Sequence, residues 1–68
     1  MYEYSLLLDG KITEYSSKEA LRETLQPYFA QEEKQLDKLL KFKHFENGMC
    51  KNECKGITVI CYQLGDAT

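Results

Sequence analysis

GITVICYQLG, at residues 56–65, is the densest run of β-branched and aromatic residues in the chain, and a glycine bounds it on each side. Such side chains fit the pleated surface of a sheet and disfavour a helix. The two faces of a strand at residues 57–64 would carry Ile57, Val59, Cys61 and Gln63 on one side and Thr58, Ile60, Tyr62 and Leu64 on the other. Because neither face is clearly polar, we predict a central strand that is at least partly covered on both faces.

A β-hairpin is predicted at residues 2–15, and Asp9-Gly10 is its turn. Asp-Gly favours the positive φ angles of a two-residue primed turn. That loop length places Leu8 opposite Lys11 and Tyr4 opposite Tyr15. The side chains that then share one face, which we assign to the core, are those of Tyr2, Tyr4, Leu6 and Leu8.

A helical segment is predicted at residues 17–43. Ser16 and Glu19 have the spacing of a capping box, which indicates a helix that begins at Ser17. Leucines follow at helical spacing on one side of the segment. Pro27, the only proline, is expected to kink or break the segment, so one kinked helix and two short helices fit equally well.

The stretch at residues 42–46 fits either a frayed helix end or a short strand, and a polar loop is expected at residues 49–55. The fold class that follows is α+β. We predict a single small domain over residues 1–68, with an antiparallel sheet of three to four strands. The helical segment is expected to cover one face of that sheet.

Length, composition and net charge limit the classes of function that are expected for this chain. With 68 residues there is room for one small domain, and a hydrophobic fraction of 43% argues against disorder. The net charge of −2 argues against direct nucleic-acid binding. We expect no membrane association and a cytoplasmic location, because no membrane-length apolar stretch and no signal peptide is found and the cysteine number is odd.

Four side chains raise the alternative of a zinc site: His44, Cys50, Cys54 and Cys61. Three thiolates and one imidazole can hold zinc tetrahedrally, and zinc would stabilise a small domain. In that alternative the chain is a zinc-stabilised nucleic-acid-binding or regulatory module. The competing interpretation is that Cys61 packs as a small apolar side chain within its strand while the other two are ordinary loop thiols. We favour this second interpretation and expect no cofactor.

No catalytic set or phosphate-binding glycine loop is recognisable, so we do not expect an enzyme. The preferred hypothesis is a protein-binding module whose partner is another protein or protein complex, and which is itself a monomer or a homodimer. Small free-standing domains are often made by phages or other mobile elements and inhibit host machinery. The narrower hypothesis is therefore an inhibitor of a host complex such as a CRISPR nuclease, in the manner of an anti-CRISPR protein.

The expected partner-binding residues are charged helix residues and exposed tyrosines. Acidic and basic groups are unevenly divided: residues 1–33 hold seven acids and three bases, whereas residues 34–68 hold four acids and six bases. A polarised surface of this kind can steer a partner, and tyrosine is enriched at binding hot spots. The residues proposed for contact are Glu19, Glu23, Lys34, Lys38, Lys41, Tyr2 and Tyr15.

Overall fold

The chain runs from one β-hairpin through a helical segment to a second β-hairpin. The computed structural model describes residues 1–64. Its elements are β1 (Tyr2–Leu8), β2 (Lys11–Tyr15), α1 (Lys18–Leu25), a 3₁₀ turn (Gln26–Phe29), α2 (Glu33–Leu39), β3 (Met49–Cys54) and β4 (Ile57–Gln63). The predicted α+β fold with an antiparallel sheet of three to four strands is thereby confirmed, and the sheet has four strands.

The sheet has the strand order β2-β1-β4-β3, and every neighbouring pair is antiparallel. The run at residues 57–63 is therefore a central strand, as its composition predicts. It ends at Gln63, one residue before the predicted end, and the bounding Gly65 lies outside the described residues. The first and last strands of the chain thus pair at the centre of the sheet, while β2 and β3 form its edges.

Both hairpins turn through two residues with positive φ. In the first, Asp9 has a φ of 54° and Gly10 a φ of 77°. In the second, Lys55 has a φ of 55° and Gly56 a φ of 79°. These signs are those of type I′ turns, whose twist matches that of the strands they join. The predicted register of the first hairpin, with Leu8 opposite Lys11 and Tyr4 opposite Tyr15, is confirmed.

The helical segment is broken near Pro27, as predicted, but its bounds differ at both ends. Ser17 rather than Ser16 is the N-cap, and its hydroxyl accepts a hydrogen bond of 3.1 Å from the amide of Ala20. Pro27 lies in the first turn of the 3₁₀ stretch, where its missing N–H costs no helical hydrogen bond. The second helix ends at Leu39, so residues 40–43, which were predicted to be helical, lie beyond the observed helix.

The region before β3 corrects two expectations. Residues 41–45 have no regular structure, and Glu46 forms only an isolated bridge with Met49 across a turn at Asn47 and Gly48. The alternative of a short strand at residues 42–46 is therefore wrong. The stretch at residues 49–54, expected as a polar loop, is instead the edge strand β3. Its backbone pairs with β4, and this pairing makes it a strand although its polar composition does not predict one.

A single core cluster joins one face of the sheet to the helical segment. Its strand members include Tyr4, Leu6 and Val59, which are 8%, 2% and 0% exposed. The helical segment and the residue after it contribute Leu21, Leu25, Phe29, Leu36, Leu39 and Leu40, all 2% exposed or less. We call this side of the sheet the core face and the opposite side the outer face.

Candidate protein-binding surfaces

The outer face of the sheet carries large apolar side chains that no other described element buries. Ile12 is 70% exposed, Met49 43% and Leu7 39%. Ile60 and Tyr62, on the central strand, are half-buried. Side chains alternate between the two faces of a strand, so these five all point away from the core cluster. Solvent-exposed apolar side chains are unremarkable singly, so their arrangement decides whether they form a surface.

The strand register makes these five side chains neighbours. Leu7 lies directly opposite Ile12 on β1 and β2, and Met49 lies directly opposite Tyr62 on β3 and β4. Ile60 precedes Tyr62 by two residues, and it is the diagonal neighbour of Leu7, because Ser5 pairs with Ile60 and Leu7 with Thr58. Directly opposed and diagonal side chains lie within contact range on a sheet. We call this set, which runs diagonally over all four strands, the outer stripe.

Charged side chains border the outer stripe on the same face. Glu3 lies opposite Tyr62, Glu14 stands on β2, and Lys51 lies opposite Ile60. Glu53 stands opposite Thr58 near the second turn. An apolar centre with charged side chains around it is the usual layout of a protein–protein interface.

A second surface lies beside β3, where an open groove of about 380 Å³ is lined mostly by cationic side chains. Its position depends on Asn52, whose side-chain amide donates hydrogen bonds to the backbone oxygens of Leu39 at 2.8 Å and Lys41 at 3.1 Å. These bonds fix the end of α2 against the edge strand. The charged and imidazole side chains that line the groove are Lys38, Lys41, Lys43, His44 and Lys51. We call it the basic groove.

The ion pairs of the described residues lie outside the basic groove. Arg22 forms an ion pair with Asp37 at 2.6 Å that joins α1 to α2. The partner of Asp37 is therefore Arg22 and not one of the nearby lysines. Lys55 binds Glu32 and also lies 5.4 Å from the centre of the Phe29 ring. Within residues 1–64, the four lysines of the groove form no ion pair.

The predicted contact residues fall on four separate parts of the molecule. Glu19 and Glu23 are exposed on α1, and Lys34 is exposed on α2. Lys38 and Lys41 both line the basic groove. The other residues that line it lie outside α2, so helical spacing does not predict them.

The two tyrosines proposed for contact lie on the core face. Tyr2 is 44% exposed, and its ring centre is 6.0 Å from that of Phe45. Tyr15 is half-buried against the core cluster. The outer stripe was missed because β3 was not recognised as a strand, so the position of Met49 opposite Tyr62 was not foreseen.

The structure does not bring the four zinc candidates together. Cys50 lies directly opposite Cys61, but Cys54 is four residues along the same strand, which is about 13 Å. Its sulfur lies 3.6 Å from the side-chain oxygen of Gln35 instead. Within residues 1–64 no three histidine, cysteine or acidic side chains are grouped as metal ligands are. The four-ligand alternative is therefore not supported by the geometry.

Burial affects two titrating groups in the core. It raises the pKa of the Cys61 thiol, and the neighbouring Cys50 raises it further, while Lys18 acts in the opposite direction. Burial also raises the pKa of the Tyr4 hydroxyl, with smaller contributions from Cys61 and Tyr2. A raised pKa keeps a thiol protonated, and the thiolate is the nucleophilic form. The geometry around Cys61 is thus that of a core side chain.

Comparison with known proteins finds no matching family model, no matching characterised protein and no matching solved structure. None of the helices in residues 1–64 has both the length and the apolar character needed to cross a membrane.

Proposed function

We propose that this domain is a non-enzymatic protein-binding module and that the outer stripe is the centre of its contact surface. The observation that carries the proposal is the continuity of five large apolar side chains on the outer face, three of them between 39% and 70% exposed. A small domain has few apolar side chains to spare from its core. Contiguous apolar side chains rimmed by charges mark interaction sites.

The composition of the outer stripe fits a protein partner. Tyrosine and methionine are enriched at the centres of protein interfaces, and both occur here, as Tyr62 and Met49. The surrounding Glu3, Glu14 and Lys51 would form a polar rim. The partner that fits has an apolar patch of similar width, with charged groups at its border.

The dimensions of the sheet indicate how large this contact can be. Four strands spaced by about 4.8 Å, with about six residues each at 3.3 Å, give a face of roughly 400 Å². A stable interface buries about 800 Å² on each partner. The outer stripe would therefore supply the centre of an interface whose remainder lies on neighbouring surfaces.

A narrower form of the proposal concerns biological role. We propose an inhibitor, encoded by a phage or another mobile element and acting in the cytoplasm, that occupies the surface of a host complex such as a CRISPR nuclease. The small size of the domain and its uncovered outer face support this role, because blocking a surface of another protein requires no catalytic cleft. The domain would act as a monomer or as a homodimer through an edge strand such as β2.

The proposal is tested by comparing variants in affinity capture. The double variant Ile12→Ser, Met49→Ser removes two exposed members of the outer stripe, and exposed positions tolerate such changes within about 0.5 kcal/mol each. We expect the immobilised variant to recover at least about tenfold less partner than the immobilised wild-type domain does, because central apolar contacts carry much of the binding energy.

The matched control is Tyr28→Ser, which removes a side chain that is 50% exposed on the 3₁₀ turn, away from the sheet. This variant should recover the partner as the wild type does. Equal recovery by all three proteins would contradict the proposal. The narrower role is tested by adding the domain to CRISPR nuclease complexes that cleave a matched DNA target. If none is inhibited, that role fails while protein binding stands.

A further inference from the structure

We propose that the basic groove beside β3 binds a carboxylate-rich segment of the partner protein. This inference rests on the proposed function, because it assigns a second part of the same interface and the chemistry of what fills it. The groove combines the end of α2, the loop that follows it and the edge strand β3. It is therefore a product of the fold and not of one charged stretch of sequence.

The charge of the groove is unusual for this chain. Four of the nine lysines and arginines line it, in a chain whose net charge is −2. The rest of the chain consequently carries a net charge of −6. A positive site within an otherwise negative surface concentrates the electrostatic potential at one place, which gives orientation to an approaching partner.

The groove lysines are free to meet that partner. Lys38, Lys41, Lys43 and Lys51 are all exposed, and within residues 1–64 the ion pairs involve other cations. Like charges gathered at one site repel each other, and this repulsion is unfavourable in the isolated domain. A bound group of carboxylates would relieve it, so the charges favour the bound state over the free state.

The chemistry of the site favours carboxylates over a nucleic-acid backbone. Glu46 lines a neighbouring hollow with His44 and Lys51, and Glu53 lines another with Lys38 and Asn52, so acidic side chains flank the groove. A nucleic-acid duplex carries a charge every ~1.7 Å along its axis and would run over these acids. A protein segment can place a few carboxylates within the groove and neutral residues at its ends.

Lys51 makes the groove continuous with the outer stripe. It lines the groove, and on the outer face it lies directly opposite Ile60. One partner can therefore cover the apolar centre and reach the basic groove across the β3 edge. The groove would then supply contact area that the sheet face lacks for a stable interface.

The test uses a fluorescein-labelled peptide of glutamate and glycine residues as the probe, measured by fluorescence anisotropy at low salt. Lacking apolar side chains, it reports on the groove alone. We expect binding that weakens as salt is added. The double variant Lys41→Gln, Lys51→Gln should bind roughly three- to tenfold more weakly. The control Lys11→Gln, Lys34→Gln changes the net charge equally, lies outside the groove and should bind as the wild type does.

Three results would overturn the inference: no binding of the peptide by the wild type, equal weakening by the two double variants, or tighter groove-dependent binding of an oligonucleotide of the same charge. The outer-stripe variant Ile12→Ser, Met49→Ser should retain peptide binding, which supports two separable parts of one interface. If the peptide does not bind but partner capture still depends on the outer stripe, this inference fails and the proposed function stands.

Discussion

Tyr4 and Cys61 face each other across the two central strands, on the core face. Both are nearly fully buried, at 8% and 2% exposed, and both can lose a proton. Burial penalises the charged form, so the pKa of each group is raised in the folded protein. The centre of the core thus contains two weak acids whose neutral form the folded state favours.

We expect stability to fall at alkaline pH for this reason. A group whose folded pKa is raised contributes stability that is fully present below its unfolded pKa and is lost as pH rises through its folded pKa. The ordinary values are 9.0 for the thiol and 10.0 for the tyrosine. The Tm should therefore be insensitive to these two groups in neutral solution and should begin to fall above about pH 9.

The variant Cys61→Ala checks whether ionisation of the Cys61 thiol contributes to the alkaline fall in Tm. It should lower Tm at neutral pH, because it leaves a cavity, and it should move the alkaline fall to higher pH, where only Tyr4 remains. The control Val59→Ala also leaves a cavity, at a position that is 0% exposed, but removes no acid. It should lower Tm without moving the onset of the fall. An unchanged onset in Cys61→Ala would contradict this assignment.

At the scale of elements, Asn52 makes the shortest side-chain hydrogen bonds between the end of α2 and β3. Asn52 donates to two backbone oxygens at the end of α2 and thereby holds the helix end against an edge strand. The two helices are joined to each other by Arg22 and Asp37, an ion pair whose side chains are 36% and 60% exposed. Because exposed ion pairs contribute little, the Asn52 bonds are the stronger link.

Substitution of Asn52 tests this link. Asn52→Ala should reduce the free energy of unfolding by about 1–3 kcal/mol, because the part-buried carbonyl of Leu39 and the exposed carbonyl of Lys41 both lose their donor. Asn52→Asp keeps the shape but aims a carboxylate at the same oxygens, so it should be at least as damaging. Arg22→Gln, the control, should cost less than about 1 kcal/mol. Chemical denaturation measures all three, and equal costs for Asn52→Ala and Arg22→Gln would contradict the expected ranking.

The elements that sequence reasoning found have strong local signals. Asp9-Gly10 determines its own turn and thereby the register of the first hairpin, and Pro27 breaks the helical segment. The strand β3 has no such signal, because half-buried Asn52 and Cys54 on its core face do not stand out from exposed Lys51 and Glu53 on its outer face. Its pairing partner β4 makes it a strand, and tertiary pairing is not readable from a local pattern.

The same limit applies to the candidate sites. Lys38 and Lys41 could be predicted as contact residues because they are charged residues close together in the predicted helical segment. Lys51 reaches the groove only through the position of β3, and Met49 joins the outer stripe for the same reason. Because this edge strand is not predicted, Met49 of the outer stripe and Lys51 of the basic groove are not predicted either. The tyrosines proposed for contact lie on the core face because the parity of β1 and β2 places them there.

At the scale of the whole molecule, the proposed function gives the two faces of the sheet different roles. The core face shares one apolar cluster with the helical segment and supplies stability. The outer face keeps five apolar side chains in reach of a partner, and the basic groove continues that surface past the β3 edge. In the proposed function, stability and binding thus depend on alternate residues of the same strands.

Site-specific photo-crosslinking tests this division most directly. A benzophenone amino acid would replace Ile12, Met49 or Tyr28 in turn, and each protein would be irradiated with the partner bound. We expect a crosslinked adduct from Ile12 and from Met49, on the outer face, and none from Tyr28, which is equally accessible but lies on the 3₁₀ turn. An adduct from Tyr28 alone would contradict the account, because the partner would then contact the helical side and leave the outer face uncovered.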